Sequence, residues 1–367
     1  MGIKSTSTTS SSSSSSSSVR ASFPVEEQHK TGPFKYQNLF ERNEKRDLTP
    51  AIGTEFLKGS INLRNIIQAA NADELLLDLA VYVSQRGVLF FRDQDITPEE
   101  HLFLVSKLSS LTRQQEAVFH VHPMTTRTKY GDNFVRIFSD LNDVYKGGKR
   151  ERTQRGTGTW HTDLSYEKRP ADYSALQIKQ VPADGGGDTL WASGYAAYEK
   201  LTPVLAEFFE KLTIHSDWTS NLLQFNDASG EQYKTERGLE NVGRKVTSDH
   251  ALVRTNPVTG WRSLYFSIIH NKYVNELNID ESDALLEFLA RHLTENHDIQ
   301  VRIRWEENDV AIWDNRSTFH TGTFDYGGFR EGYRVTTLGE VPFFEKESKT
   351  RSESLKNDFK NISSIKK

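Results

Sequence analysis

Asp73-Glu74-Leu75-Leu76-Leu77-Asp78-Leu79-Ala80-Val81-Tyr82-Val83-Ser84-Gln85-Arg86 runs directly into Gly87-Val88-Leu89-Phe90-Phe91, and the change of period between the two decides the fold class. Leu75, Leu76, Leu79 and Val83 recur at helical spacing behind Asp73, so the first part predicts a helix from about Asp73 to Arg86. Gly87 stops it. Val88 to Phe91 is too short for a helix and too apolar for a surface loop, and reads as a buried strand. Downstream, Thr97-Pro98-Glu99-Glu100 places an N-cap hydroxyl, a first-turn proline and an acid in capping-box register, which predicts a second helix to about Leu111. A third, Asp280 to about His297, carries Ala284, Leu285, Phe288, Leu289 and Leu293 on one side. The remaining segments are short, aromatic, β-branched and punctuated by Gly, Pro, Asn and Asp. They predict a mainly β core with flanking α-helices rather than alternating βα units.

The bulk numbers bound the partners. A chain of 367 residues, 36% hydrophobic and 11% aromatic, can bury a sizeable core. A net charge of -4 and a pI near 6.3 provide no basic field for nucleic acid. No apolar run is long enough to cross a bilayer. The chain has no cysteine, so disulfides and thiolate metal sites are excluded and a reducing, cytoplasmic setting is favoured. Any metal must be held by His and carboxylate. Residues 5–18 are all Ser or Thr, which predicts a disordered Ser-rich tail over residues 1–32. Met1-Gly2-Ile3-Lys4-Ser5-Thr6 fits the N-myristoylation pattern, but so short a pattern is often met by chance. The folded domain is expected over 33–345 and a polar tail over 346–367. A homo-oligomer is compatible with all of this.

Of the eleven histidines, His29 falls in the expected tail, and His101, His292 and His297 sit in helical segments where structural roles are the default. The informative pattern is His-x-Asp. Residues two apart in a strand point to the same side, so an imidazole and a carboxylate can converge on one ion. Two tripeptides qualify, His161-Thr162-Asp163 and His215-Ser216-Asp217. A facial triad of two His and one carboxylate also needs a distant second His, and leaves positions open on Fe(II) for a 2-oxo acid and O2. His320 meets the first need: Val310-Ala311-Ile312-Trp313 reads as a strand, Asp314-Asn315-Arg316 as a turn, and Arg330 and Arg334 follow. Arginines four apart can face one pocket if the segment is helical or bulged, or if it is an evenly spaced strand, and there they suit carboxylate ligands.

Trp160-His161-Thr162-Asp163, Gly185-Gly186-Gly187-Asp188-Thr189-Leu190-Trp191, and Trp313-Asp314-Asn315-Arg316 with His320, Arg330 and Arg334 together resemble the taurine dioxygenase (TauD/TfdA) family, most closely its fungal sulfonate dioxygenases. The resemblance begins near Leu48, takes in Gly87 to Thr97 and His120-Val121-His122-Pro123, and runs to about Pro342. It implies a double-stranded β-helix, or jelly roll, flanked by helices. It also implies His161, Asp163 and His320 as Fe(II) ligands, Thr189 and Arg330 on the C5 carboxylate of 2-oxoglutarate, and Arg334 and His122 on the anionic head of a small organic substrate. His122 is preferred to His120 on the resemblance alone, since both share a face of an extended segment. Trp160 and Trp313 are expected in the core. The pair at His215 has no counterpart and is expected to be structural.

The activity implied is hydroxylation coupled to conversion of 2-oxoglutarate and O2 to succinate and CO2, with collapse to an aldehyde and sulfite where the hydroxylated carbon bears a sulfonate. The chain departs from the taurine enzyme at two places: Thr125 stands where that enzyme has a Tyr, and Thr157 near its amine-binding Asn. Both departures remove groups that shape the taurine pocket, while taurine catabolism stays within what the resemblance implies. Carboxylates such as aryloxyalkanoates, or purines, remain alternatives. So does a silent jelly-roll binding module. A zinc hydrolase is disfavoured because no acid or base residue accompanies the ligands.

Overall fold

The computed structural model describes residues 32–124, 128–139, 156–229, 232–323, 325–326 and 328–356. Gly2, the Ser-rich stretch, His29 and Thr125 lie outside them, as does the side chain of Thr157.

Strand Val88–Phe91 lies inside a seven-stranded sheet and is buried on both faces. Its alternation explains the layers around it. Leu89 and Phe91 pack with Leu76, Leu79 and Val83 of helix Ala72–Arg86 and with Leu104 and Leu108 of helix Pro98–Arg113. Val88 and Phe90 turn the other way, into a cluster with Trp191, Val301, Trp305 and Trp313. Both helices keep the predicted starts. Thr97 and Glu100 close the capping box, and Gly87 takes φ 77° to end the first helix.

In spatial order the large sheet is Lys45–Asp47, Thr54–Phe56, Val88–Phe91, Val310–Asp314, Ala171–Gln180, Arg330–Leu338 and Phe134–Ser139. Its neighbours are antiparallel except Thr54–Phe56 beside Val88–Phe91. A three-stranded sheet, Gln300–Ile303, Thr189–Ser193 and Thr318–Gly322, packs against it. Trp191 of the small sheet meets Phe90 and Trp313 of the large one at ring-centroid distances of 5.2 and 5.8 Å. The result is a jelly roll with its helices outside, as the sequence predicts, and Trp160 and Trp313 are in the core. Among the described residues, no helix is long and apolar enough to cross a membrane.

The third helix spans Ile279–Thr294 and ends before the expected His297. Two amides explain the stop: Asn296 donates to the carbonyl of His292 at 2.7 Å and Gln300 to that of Leu293 at 2.8 Å, satisfying the last turn. A short 3-10 turn, His297–Ile299, follows.

The turn after Val310–Asp314 is pinned by an ion pair with no exposure. Arg316 grips Asp314 through Nε to Oδ1 at 2.7 Å and Nη2 to Oδ2 at 3.0 Å, and Asn256 donates to Oδ2 at 2.9 Å. Breaking such a pair from one side leaves an uncompensated buried charge. Asp314→Ala should therefore lose about 3–5 kcal/mol of unfolding free energy in a denaturant titration. A loss below about 1 kcal/mol would mean the turn is held by other contacts.

Candidate active site

His161 and His320 are joined by a reciprocal pair of main-chain hydrogen bonds: His161 N–H donates to the His320 carbonyl at 3.0 Å, and His320 N–H to that of His161 at 2.7 Å. Residues opposed in this way project their side chains together. The two imidazole centroids are 4.2 Å apart. Asp163, two residues on, brings Oδ1 to 3.8 Å from Nε2 of each histidine. One potential ligand atom from each of the three lies within 4.8 Å of the others, and among the described residues no fourth His, Cys or carboxylate joins them. Two imidazole nitrogens and one carboxylate oxygen fit a facial triad.

The protonation states suit ligation as well. Burial pushes the pKa of His161 down and that of His320 well down, so both imidazoles are neutral. Burial alone would raise the Asp163 carboxyl, but Arg334, then His320 and His161, and a bond from Ser174 hold it well below the usual carboxylate range. Metal ligands must be deprotonated, and these already are. The Thr159 carbonyl engages His161 Nδ1 at 2.9 Å and so leaves Nε2 for a metal.

Asp163 is held from three sides. Arg334 Nη1 donates to Oδ1 at 2.8 Å, Ser174 Oγ donates to Oδ2 at 3.1 Å, and the Asp163 N–H reaches Asn315 Oδ1 at 3.3 Å. Asn315 also takes the Trp313 indole N–H at 2.9 Å and donates to Ser174 Oγ at 2.9 Å. Sequence reasoning missed Ser174, which sits unmarked in strand Ala171–Gln180, and saw Asn315 only as a turn residue.

Thr189 lies on the same face of its strand as Trp191, the residue paired with His320. Its hydroxyl accepts from the Trp305 indole at 3.0 Å and keeps its own proton to give. Arg330 is 7% exposed; its Nε donates to the Gly187 carbonyl at 3.0 Å, and among the described residues no carboxylate meets its guanidinium. Burial pushes its pKa below the ordinary arginine value. A buried guanidinium without a counter-ion fits the carboxylate of an oxo acid. The approach requires glycine. Gly185, Gly186 and Gly187 take φ 74°, 81° and 68°, and a Cβ at Gly187 would stand 2.8 Å from Arg330 Cδ. Arg330 and Arg334 keep even spacing along Arg330–Leu338, in regular register with Phe134–Ser139.

His122 is half-buried and feels the charges of Arg334 and Asp163. Burial, with His120 and Arg334 beside it, pushes its pKa down to about 3, so it too is neutral. His120 instead faces Glu167, with Nε2 3.6 Å from Oε1 of a carboxylate gripped by Arg237. His215 bonds Asp249, its cross-strand opposite, at 2.9 Å; Asp217 caps the Thr219 N–H. Among the described residues, that tripeptide makes no metal site with a second histidine.

Residues 44–336 match the family model described as "Taurine catabolism dioxygenase TauD, TfdA family". An alpha-ketoglutarate-dependent dioxygenase of Neocamarosporium betae is 39% identical over 338 residues, 88% of this chain and 98% of that one. The alpha-ketoglutarate-dependent sulfonate dioxygenase of Saccharomyces cerevisiae is 31% identical over 324 residues, 84% of this chain and 71% of that one. The solved structure of a taurine dioxygenase from Burkholderia xenovorans superposes with a TM-score of 0.63 at 26% identity, covering 82% of this chain and 91% of that one.

His161→Ala or Asp163→Ala should abolish Fe(II) binding in anaerobic calorimetry, and His215→Ala should leave it unchanged. Ser174→Ala should weaken Fe(II) about tenfold by freeing the Asp163 carboxylate. Equal losses from His215→Ala would mean that the metal sits elsewhere.

Proposed function

The chain belongs to the taurine catabolism dioxygenase TauD/TfdA family, and within it we propose that the enzyme hydroxylates a small anionic organic substrate, with organosulfonates as the preferred class. It is an alpha-ketoglutarate (2-oxoglutarate) dependent dioxygenase that uses Fe(II) and O2. Iron bound there supplies the coupled oxidation in which 2-oxoglutarate and O2 become succinate and CO2 while the substrate gains a hydroxyl. The protein's own residues do the rest. His161, Asp163 and His320 hold the metal. Arg330 and Thr189 hold the distal carboxylate of 2-oxoglutarate through a two-pronged donor and a hydroxyl. Arg334 and His122 orient the anionic head of the substrate. Trp191 and Trp313, packed on His320 at 6.4 and 5.2 Å, exclude water from that side.

The observation that carries the anionic reading is Arg334. One arm is spent on Asp163, while its Nε is buried with no hydrogen-bond partner, a donor awaiting an acceptor from a ligand. A neutral His122 adds a donor without adding a charge to be desolvated. Sulfonate is favoured over carboxylate because relatives at this level of identity include a sulfonate dioxygenase. On a carbon bearing a sulfonate, hydroxylation is followed by collapse to an aldehyde and sulfite. A cytoplasmic setting fits a chain that has no thiols to protect or pair.

A panel of sulfonates and carboxylates, assayed for substrate-dependent succinate and sulfite together, tests the class: succinate without sulfite would transfer the proposal to carboxylates. The arginines should separate. Losing a charged hydrogen-bonding partner of a buried anion costs a few kcal/mol, about two orders of magnitude in affinity. Arg330→Ala should weaken 2-oxoglutarate by about that much in anaerobic titrations of the Fe(II) enzyme. Arg334→Ala should leave 2-oxoglutarate within about threefold and raise the KM of the anionic substrate about a hundredfold. Equal losses of 2-oxoglutarate from both variants would end this division of roles.

A further inference from the structure

Beside the candidate metal ligands, two buried aromatic residues each end in a polar atom with no hydrogen-bond partner among the described residues. Tyr166 and His270 are each 3% exposed. The His270 ring centroid lies 6.0 Å from that of His161, and Tyr166 and Trp218 each meet His270 edge-on at 4.7 Å. Trp218 also stacks on Tyr166 at 5.7 Å with 10° between planes. The three rings brace one another. The turn beneath them is fixed by main-chain bonds from Asp217 N to the His270 carbonyl and from Asn271 N to the Ser267 carbonyl, both 3.0 Å.

The network also assigns the imidazole proton. His270 Nδ1 meets Ser165 Oγ at 2.8 Å and Ser267 Oγ at 2.9 Å. With the Ser165 hydroxyl donating to the single Nδ1 lone pair, the ring proton resides on Nε2, and this is the tautomer taken below. His270 Nε2 and Tyr166 Oη are then two N–H and O–H donors. Neither has a hydrogen-bond partner among the described residues, and neither is sealed from solvent. Both side chains lie within the electrostatic reach of Asp163, and Tyr166 also within that of Arg334. Donors left idle in so enclosed a place are filled by water or by a ligand that displaces it.

Resting on the family reading above, we propose that Tyr166 Oη and His270 Nε2 form a second polar subsite for the primary substrate, one that takes an oxygen acceptor distinct from the anionic head. The substrate then carries a hydroxyl, carbonyl or second acid oxygen, and is not a plain alkyl or aminoalkyl anion. An ammonium group at this subsite would face the N–H of His270, donor against donor. Nothing in the spacing of the sequence marks either residue, because their role depends on which polar atom is left over after local bonds are made.

The test compares 2-hydroxyethane- and 3-hydroxypropanesulfonate with ethane- and propanesulfonate and with the matching amino compounds. Affinity is read on the full-length enzyme from the perturbation of the anaerobic Fe(II)·2-oxoglutarate absorption band. One hydroxyl should tighten binding about five- to tenfold in at least one chain length. Tyr166→Phe should remove that preference with little change for the unsubstituted anions. His270→Asn, which keeps a polar atom for the serines but loses Nε2, should do the same, and His270→Gln should retain most of it. Wild-type enzyme without an oxygen preference, or a preference that survives both Tyr166→Phe and His270→Asn, overturns the subsite. If the anions still bind and still depend on Arg334, only the subsite fails. If no sulfonate binds, or binding ignores Arg334, the anionic reading fails with it.

Discussion

Two main-chain hydrogen bonds between His161 and His320 are the constraint on which the site depends. They clamp together residues far apart in sequence and set both imidazoles on one side of the junction. Once that is done, Asp163 has little freedom: its backbone follows two residues behind, and its carboxylate can only face the histidines. Three titratable groups, His161 half-buried and the other two buried, then share one small volume, and each must be compensated. The histidines give up their charge. Asp163 keeps its own and is answered by Arg334.

That answer links metal site and substrate site through one oxygen. Asp163 Oδ1 lies 3.8 Å from both imidazole nitrogens and also carries the Arg334 bond. Any change in what Arg334 binds is therefore felt at a metal ligand, and the reverse holds by linkage. Ser174 and Asn315 hold the other oxygen and the main chain. Arg330 shows the opposite economy: a buried charge held by glycine geometry and one carbonyl, with its remaining donors unmatched by carboxylates among the described residues.

How much of this could be read from the chain alone follows from the kind of signal each feature leaves. Helix Ala72–Arg86 and strand Val88–Phe91 were legible because burial on one stripe, or on both faces, writes a period into the residues. The triad was legible as a motif set, and the two His-x-Asp tripeptides were separable only by context. Structure supplies the reason: His215 lies directly across from Asp249, and a cross-strand neighbour takes it before Asp217 can. The end of the third helix was not legible, since Asn296 and Gln300 act through side-chain amides that no periodicity records. Ser174, Tyr166 and His270 were invisible for a similar reason. The significance of Ser174 lies in a partner eleven residues away, and that of Tyr166 and His270 in polar atoms left without a partner among the described residues.

The order of strands in the large sheet has a consequence for synthesis of the chain. Strand Val88–Phe91 is flanked by Thr54–Phe56, made shortly before it, and by Val310–Asp314, made more than two hundred residues later. Until the late strand emerges from the ribosome, an intensely apolar edge has no partner on that side. His320, Arg330 and Arg334 arrive later still, so a nascent chain holds one histidine and the carboxylate of the triad but neither of the arginines beside it. Iron and oxo acid can enlist only the finished domain. Until then the unpaired edge of Val88–Phe91 is the part of the growing chain most open to mispairing.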